Sequence, residues 1–253
     1  MDIKKYFDRI GLPFNAEISY TYEFLKKLQL AHVLSVPYEN LDIIDGKPIS
    51  LELEKVYEKV VINHRGGYCF ELNCLLEGLL RELGFCTASY FARFWRGESG
   101  IPLRRHRVIS VSLGNAKYIM DVGIGSVAPR IPLILEEGIV QECFGEAYRF
   151  ERDRLFGWVL YELHHGEWQK YFSFTEEKQL ENDFIATSFY CEKHPDSKFN
   201  KNIMVAMKTE KGRITLDGNV YKEFIGSHLD YIEENLNSEL ISEILLKKFA
   251  IKR

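Results

Sequence analysis

The apolar residues of this chain keep one period up to about residue 85 and another beyond it, and that change narrows the choice of folds more than any other feature. Leu72, Leu75, Leu76, Leu79, Leu80 and Leu83 fall at i, i+3, i+4, i+7, i+8 and i+11. This stripe predicts a helix that begins near Cys69 and is ended by Gly84. Residues 3–10, 20–34 and 52–63 carry the same helical spacing, separated by the breakers Pro13, Pro37 and Pro48. From Cys86 the pattern turns to short runs of β-branched and aromatic residues, at 87–95, 107–113, 118–122, 148–152, 157–163 and 168–174. Gly114-Asn115 and His165-Gly166 read as tight turns, so the strands pair as hairpins in an antiparallel sheet or barrel. Residues 123–147 read as one long connection containing Gly and Pro, and residues 192–202 as a polar loop. Strands are expected near Met204, Ile214 and Val220, then a helix over Ser238–Phe249 capped by Asn237 or Ser238. Helices, then sheet, then a small α/β tail make an α+β chain, divided at 1–85, 86–195 and 196–253.

Composition excludes several function classes. With 46% hydrophobic and 28% charged residues in 253, the chain can bury a sizeable core and is neither disordered nor collagen-like. A net charge of −4 and the lack of a long basic stretch set nucleic acid aside as a main partner. No segment approaches the ~18 consecutive apolar residues that cross a bilayer. Charges run through the opening MDIKKYFDRIG, where a signal peptide needs an apolar run, so the chain is expected in the cytoplasm with no membrane partner. Five cysteines (Cys69, Cys74, Cys86, Cys143, Cys191) cannot all pair, and none forms CxxC. The seven histidines show neither HExxH nor a Cys₂His₂ framework, so no metal is expected.

The most informative stretch is His64-Arg65-Gly66-Gly67-Tyr68-Cys69-Phe70-Glu71, a glycine pair running into a helix whose first residue is a cysteine. Free amides and the helix dipole favour negative charge there, so a thiol is expected to ionise more easily, and the glycines leave its approach open. An inert core thiol is the plainer alternative, and it is kept for the other four cysteines. A cysteine nucleophile wants a histidine base and an orienting carboxylate. His106 opens one strand of the hairpin turned at Gly114-Asn115 and Asp121 ends the other, which brings the two side by side. Gly123-Ile124-Gly125-Ser126-Val127-Ala128 mimics a dinucleotide fingerprint, but Pro129 and Pro132 leave no room for the helix that would receive a pyrophosphate. These glycines better suit a backbone passing close to a ligand beside Asp121, or a plain tight turn.

Four blocks resemble the arylamine N-acetyltransferase family: residues 36–43, the run from Arg65 through Cys69 to Asn73, the His106-Arg107 strand, and Asp121-Val122-Gly123-Ile124-Gly125. The resemblance implies a helical bundle, an antiparallel β-barrel and an α/β lid around a cysteine-protease-like core, with Cys69, His106 and Asp121 as triad. It also implies acetyl-coenzyme A as acyl donor, a ping-pong reaction through acetyl-cysteine, and an arylamine, arylhydrazine or N-hydroxyarylamine as acceptor. Arg65 and Glu39 map onto a structural ion pair. Ile124, Gly125 and Ser126 map onto the border of the donor and acceptor pocket, where Ile124 and Ser126 depart from the usual aromatic and glycine; Arg105 stands where relatives often have threonine. A thiol hydrolase or transglutaminase-like enzyme would use the same three side chains, and a catalytically dead binding module would keep the fold. If Arg104-Arg105-His106-Arg107 is one extended strand, Arg104 shares the face of His106 and can meet a coenzyme A phosphate, the alternative being that all three arginines lie on the barrel surface.

Overall fold

The computed structural model describes residues 1–15 and 17–252; Ala16 and Arg253, the last residue of the expected third segment, lie outside them. Helices α1 (Ile3–Arg9) and α2 (Tyr22–Ser35) start where a side chain takes up a free amide: Asp2 accepts from the Lys5 N–H at 3.2 Å and Thr21 from the Phe24 N–H at 3.3 Å. A two-residue strand, β1 (Tyr38–Glu39), precedes α3 (Leu41–Ile44) and α4 (Leu53–Tyr57), which continues as a π-helical turn over Glu58–Ile62. All pack around α5 (Cys69–Glu82), in which every residue from Cys69 to Leu80 is buried. The leucine stripe is therefore only one of its faces. Leu72, Leu75, Leu76 and Leu79 share a core with Phe7, Leu25 and Val60, and Ile109, Val111 and Met120 of the sheet join the same cluster. A helix buried all round must find partners for its polar residues, here Glu71, Asn73 and Glu77.

The sheet contains β2 (Cys86–Phe94), β3 (His106–Leu113), β4 (Ala116–Met120), β5 (Leu133–Ile134), β6 (Gln141–Cys143), β7 (Glu146–Asp153), β8 (Gly157–His164) and β9 (Glu167–Phe174). These eight strands run in the order β5-β4-β3-β2-β9-β8-β7-β6 with antiparallel pairings throughout. The sheet curls into a nearly closed barrel. The Gln141 side-chain amide bonds both the N–H (2.6 Å) and the C=O (3.0 Å) of Ile134, joining β6 to β5 where a backbone ladder is missing. Strand β3 serves two cores: Val108 faces the barrel interior with Tyr90, Phe150 and Phe172, while Ile109 and Val111 face the helices. That double burial is why Val108, Ile109 and Val111 show no strict apolar–polar alternation. The expected single connection over 123–147 is corrected: it holds a 3₁₀ turn at Gly125–Val127 and the strands β5 and β6, too short for any alternation to show.

The last third holds α6 (Asp183–Lys193), β10 (Met204–Lys208), β11 (Gly212–Asp217), β12 (Val220–Ile225), β13 (His228–Glu233) and α7 (Ser238–Phe249). Its five-stranded sheet runs β1-β10-β11-β12-β13, so the helical third lends it an edge strand through Tyr38↔Ala206 and Glu39↔Val205. Helix α7 covers the expected residues and is capped by Asn237, which accepts from the Leu240 N–H at 2.9 Å. Two elements escape the sequence pattern. The face α6 buries includes Ser188 and Glu192, and β13 lies on the surface with no buried residue to mark a period. Among the described residues no helix is long and apolar enough to cross a membrane.

Candidate active site

Cys69, His106 and Asp121 meet where the N-terminus of α5 abuts the end of the β3–β4 hairpin. The pair Ile109↔Met120 sets the hairpin register, which places Asp121 opposite Val108 and makes it a diagonal neighbour of His106 on the same face. The diagonal closes with the His106 Nε2 to Asp121 Oδ2 bond at 2.7 Å, both residues being buried. With Nε2 engaged, Nδ1 is the ring nitrogen left to handle a proton. The Cys69 thiol donates to the Arg105 carbonyl at 3.9 Å, directly before His106. Asp121 is held from its other oxygen, which accepts from the Gly123 N–H (2.8 Å) and from Asn73 Nδ2 (2.9 Å). Asn73 in turn donates to the Arg107 carbonyl at 2.6 Å and accepts from the Val122 N–H at 3.0 Å.

Electrostatics modify what the helix terminus alone implies. Burial pushes the Cys69 thiol well up, the charges of Cys191 and Asp121 add to that, and the backbone N–H groups of Arg107 and Phe70 at the sulfur only partly offset them. The expected easy ionisation is thus corrected for the resting site: desolvation outweighs the α5 N-terminus. A thiolate here needs an imidazolium beside it, which Asp121 is placed to stabilise. Cys74 is pushed up to about 12 and Cys191 to about 11, again chiefly by burial. All five cysteines are free.

The glycine pair has a different reason from an open approach to sulfur. A Cβ on Gly66 would stand 2.0 Å from the Pro37 carbonyl oxygen, and one on Gly67 would stand 2.9 Å from a carboxylate oxygen of Glu71. The loop is pressed against its neighbours and pinned by charge: Arg65 pairs with Glu39 at 2.8 Å and Asp42 at 3.1 Å, and Lys59 bridges Asp42 and Glu71 at 2.8 Å each. Gly123 is the residue laid against the nucleophile, where a Cβ would come within 2.6 Å of Cys69 Cα. Gly125, at φ +61°, packs on Tyr38 and opens the turn carrying Ser126.

The arginine cluster is also corrected, because β3 starts at His106 and neither Arg104 nor Arg105 belongs to the strand. Arg104 donates to Thr175 Oγ1 at 2.7 Å and lies 3.8 Å from Glu177, and Arg105 pairs with Glu98 at 2.7 Å. Arg107 is not on the surface but is among the largest fully buried side chains of the protein.

Beyond Ser126 a cleft of about 580 Å³ separates the barrel from the five-stranded sheet. Arg96, Arg130, Lys208, Lys211 and Arg213 outnumber the carboxylates that line it. Arg130 is 3% exposed and spends Nη2 on the carbonyls of Thr209 (2.8 Å) and Gly212 (2.9 Å). Its Nε and Nη1 have no hydrogen-bond partner among the described residues. Nothing in the sequence pattern singles out Arg130; its only signal is a basic residue between Pro129 and Pro132. Among the described residues no group of three His, Cys, Asp or Glu could hold a metal ion.

A family model described as N-acetyltransferase matches residues 21–252. An arylamine N-acetyltransferase of Mycobacterium tuberculosis is 35% identical over 224 residues, covering 86% of this chain and 78% of that one. The solved arylamine N-acetyltransferase of Salmonella typhimurium superposes with a TM-score of 0.93 at 29% identity, covering 98% of this chain and 90% of that one. That of Mycobacterium marinum in complex with CoA superposes at 0.90 with 30% identity, covering 99% and 93%. Sequence and fold agree over nearly the whole length, and the chain belongs to the arylamine N-acetyltransferase family.

Proposed function

We propose that the chain moves an acetyl group from acetyl-coenzyme A to an arylamine, arylhydrazine or N-hydroxyarylamine, with Cys69 as carrier, His106 as proton shuttle and Asp121 as its orienting carboxylate. The observation that carries these roles is the buried 2.7 Å His106–Asp121 bond beside a helix-terminal cysteine. His106 Nδ1 takes the thiol proton and the sulfur adds to the thioester carbonyl. The bond to the coenzyme A sulfur then breaks, and that thiolate leaves with the proton from imidazolium. In the second half the amine nitrogen adds to acetyl-Cys69, loses its proton to His106, and the Cys69 sulfur departs and is reprotonated. Exchange of one thioester for another is close to balanced, so the thiolate takes up the acetyl group without a large energetic step. The deep burial that raises the resting thiol also keeps water from acetyl-Cys69.

The donor's path is assigned to Ile124, Gly125 and Ser126, with its phosphates in the cleft at Arg130, a reading supported by the guanidinium nitrogens left without hydrogen bonds and by the excess of basic side chains lining the cleft. Arg104 reaches a donor only by leaving Thr175 and Glu177. Of the division 1–85, 86–195 and 196–253, the first boundary is favoured by the start of the eight-stranded sheet at Cys86, and five free thiols suit a cytoplasmic location. Incubation with acetyl-coenzyme A should add one acetyl group at Cys69, and double-reciprocal plots at several amine concentrations should be parallel. Intersecting lines would replace the carrier with direct transfer, and free acetate in place of acetylated amine would make the protein a thioesterase.

A further inference from the structure

Cys69, Asn73 and Glu77 stand at i, i+4 and i+8 on α5, one face of the helix, and all three meet the chain around His106: Cys69 at Arg105, Asn73 and Glu77 at Arg107. The Cys69 thiol donates to the Arg105 carbonyl, two residues earlier on the same backbone, at 3.9 Å. Asn73 Nδ2 donates to the Arg107 carbonyl at 2.6 Å. Glu77 Oε2 accepts from Arg107 Nη2 at 2.6 Å. The guanidinium is then filled from the far side: Nη1 and Nη2 each donate to Glu181 at 2.8 Å, and Nε donates to Ser89 Oγ at 2.8 Å. Phe184 covers its face at 4.5 Å. Ser89 also donates to Glu77, and the half-exposed Arg81 pairs with Glu77 at 2.7 Å, so the charges of the cluster balance. One residue thereby ties α5, β2, β3 and the connector that leads from the barrel to α6.

We infer that Arg107 is a positioning residue for acetyl transfer, its side chain locking the strand backbone that bonds Asn73, one turn along α5 from Cys69, and thereby holding the nucleophile helix in register with the His106–Asp121 hairpin. Alternation puts its guanidinium on the face opposite His106, so it meets neither substrate nor reacting atoms. Its partners demand a planar fork that spans Ser89, Glu77 and Glu181 together, which an ammonium cannot do. The inference rests on Cys69 as nucleophile. It adds that the reactivity of this sulfur is set in part from beneath the strand.

The experiment compares wild type with Arg107→Lys and Glu181→Gln, following iodoacetamide labelling of Cys69 against pH by peptide mass spectrometry, formation of acetyl-enzyme, and the KM for acetyl-coenzyme A. In Arg107→Lys the labelling midpoint should rise by about one pH unit and acetyl-enzyme formation should slow about tenfold. The KM should stay within about twofold, because the cluster does not touch the donor. Glu181→Gln, which keeps the arginine and alters a half-exposed partner, should move the same readouts in the same direction by less, and it decides the matter should Arg107→Lys not fold. A lowered unfolding temperature with a wild-type labelling midpoint and acetylation rate would reduce Arg107 to a stability role and overturn the inference, as would a change in KM alone. Labelling reports on the sulfur whether or not transfer passes through it. Transfer retained in Cys69→Ala would therefore remove the nucleophile reading without disturbing the measurement.

Discussion

Arg107 and Arg130 are both buried, yet they sit in regions of opposite construction. At the seam between α5 and β3, every guanidinium nitrogen of Arg107 meets an oxygen, the bonds lie at 2.6–2.8 Å, and Glu77 and Glu181 balance its charge. At the cleft, Arg130 holds two carbonyls with one nitrogen, while Glu146, 3.9 Å from its Nε, pairs with Lys208 instead. A buried charge costs free energy unless it is paired and bonded. The seam has met that cost within the fold and stays closed around the reacting groups. The cleft meets it only in part, leaving Nε and Nη1 without a hydrogen bond, the condition under which an incoming anion gains most.

Cys69→Ala should leave the fold intact and lower transfer by on the order of 10³-fold or more, since no other thiol stands at the N-terminus of α5 beside the His106–Asp121 pair. Retained activity, with an acetyl group found elsewhere, would move the chemistry out of the seam. Asp121→Asn comes next, with a loss of about a hundredfold in acetyl-enzyme formation and slower labelling of Cys69 near neutral pH, because an amide orients the ring but does not stabilise imidazolium. An unchanged labelling profile from pH ~5 to 9 would leave Asp121 with a structural role only.

The cleft is tested by Arg130→Met, which should raise the KM for acetyl-coenzyme A about tenfold and leave that for p-nitrophenyl acetate unchanged, the second donor having no phosphate. Equal effects on both donors would show that the two regions are mechanically one. Arg104→Ala is the smaller companion: with its guanidinium on Thr175 and Glu177, it should shift the acetyl-coenzyme A KM by no more than about twofold.

Acid sharpens the contrast most gently. Burial raises the Glu77 carboxyl, but the Arg107 charge and the bonds from Ser89 and Arg107 outweigh it and hold it below its ordinary 4.5. A carboxyl held low in the fold adds stability above the unfolded value and loses it as pH falls through the folded one. Glu77→Gln should therefore flatten the fall in unfolding temperature below pH 4.5. His32 sets a separate, earlier decline: burial beside Tyr6 pushes it from 6.5 down to about 3, so the unfolded chain takes up a proton that the fold refuses. Stability should fall through that window by up to about 1.4 kcal/mol per pH unit. A decline confined to pH below 4.5 would show that His32 is protonated in the fold.

What the sequence determined by itself is what depends on neighbours in the chain. The period of the leucines placed α5, the cap candidates Asn237 and Ser238 placed the start of α7, and the short turn at Gly114-Asn115 brought His106 and Asp121 onto one hairpin. The order of Cys69, His106 and Asp121 was legible because each stands at an element's end, where local rules speak most clearly. Asn73 and Glu77 lie beside the apolar stripe with nothing local to say what they bond, for their common partner Arg107 lies 34 and 30 residues further on, and no local period reports such a pairing. Tertiary packing alone decided that Arg107 is buried and Arg104 is not, that Gly66 and Gly67 answer to Pro37 and Glu71, and that Arg130 faces a cleft with donors to spare. It also reversed the sign at the sulfur, because desolvation depends on what the whole fold places around Cys69, whereas the α5 terminus that favours ionisation is local.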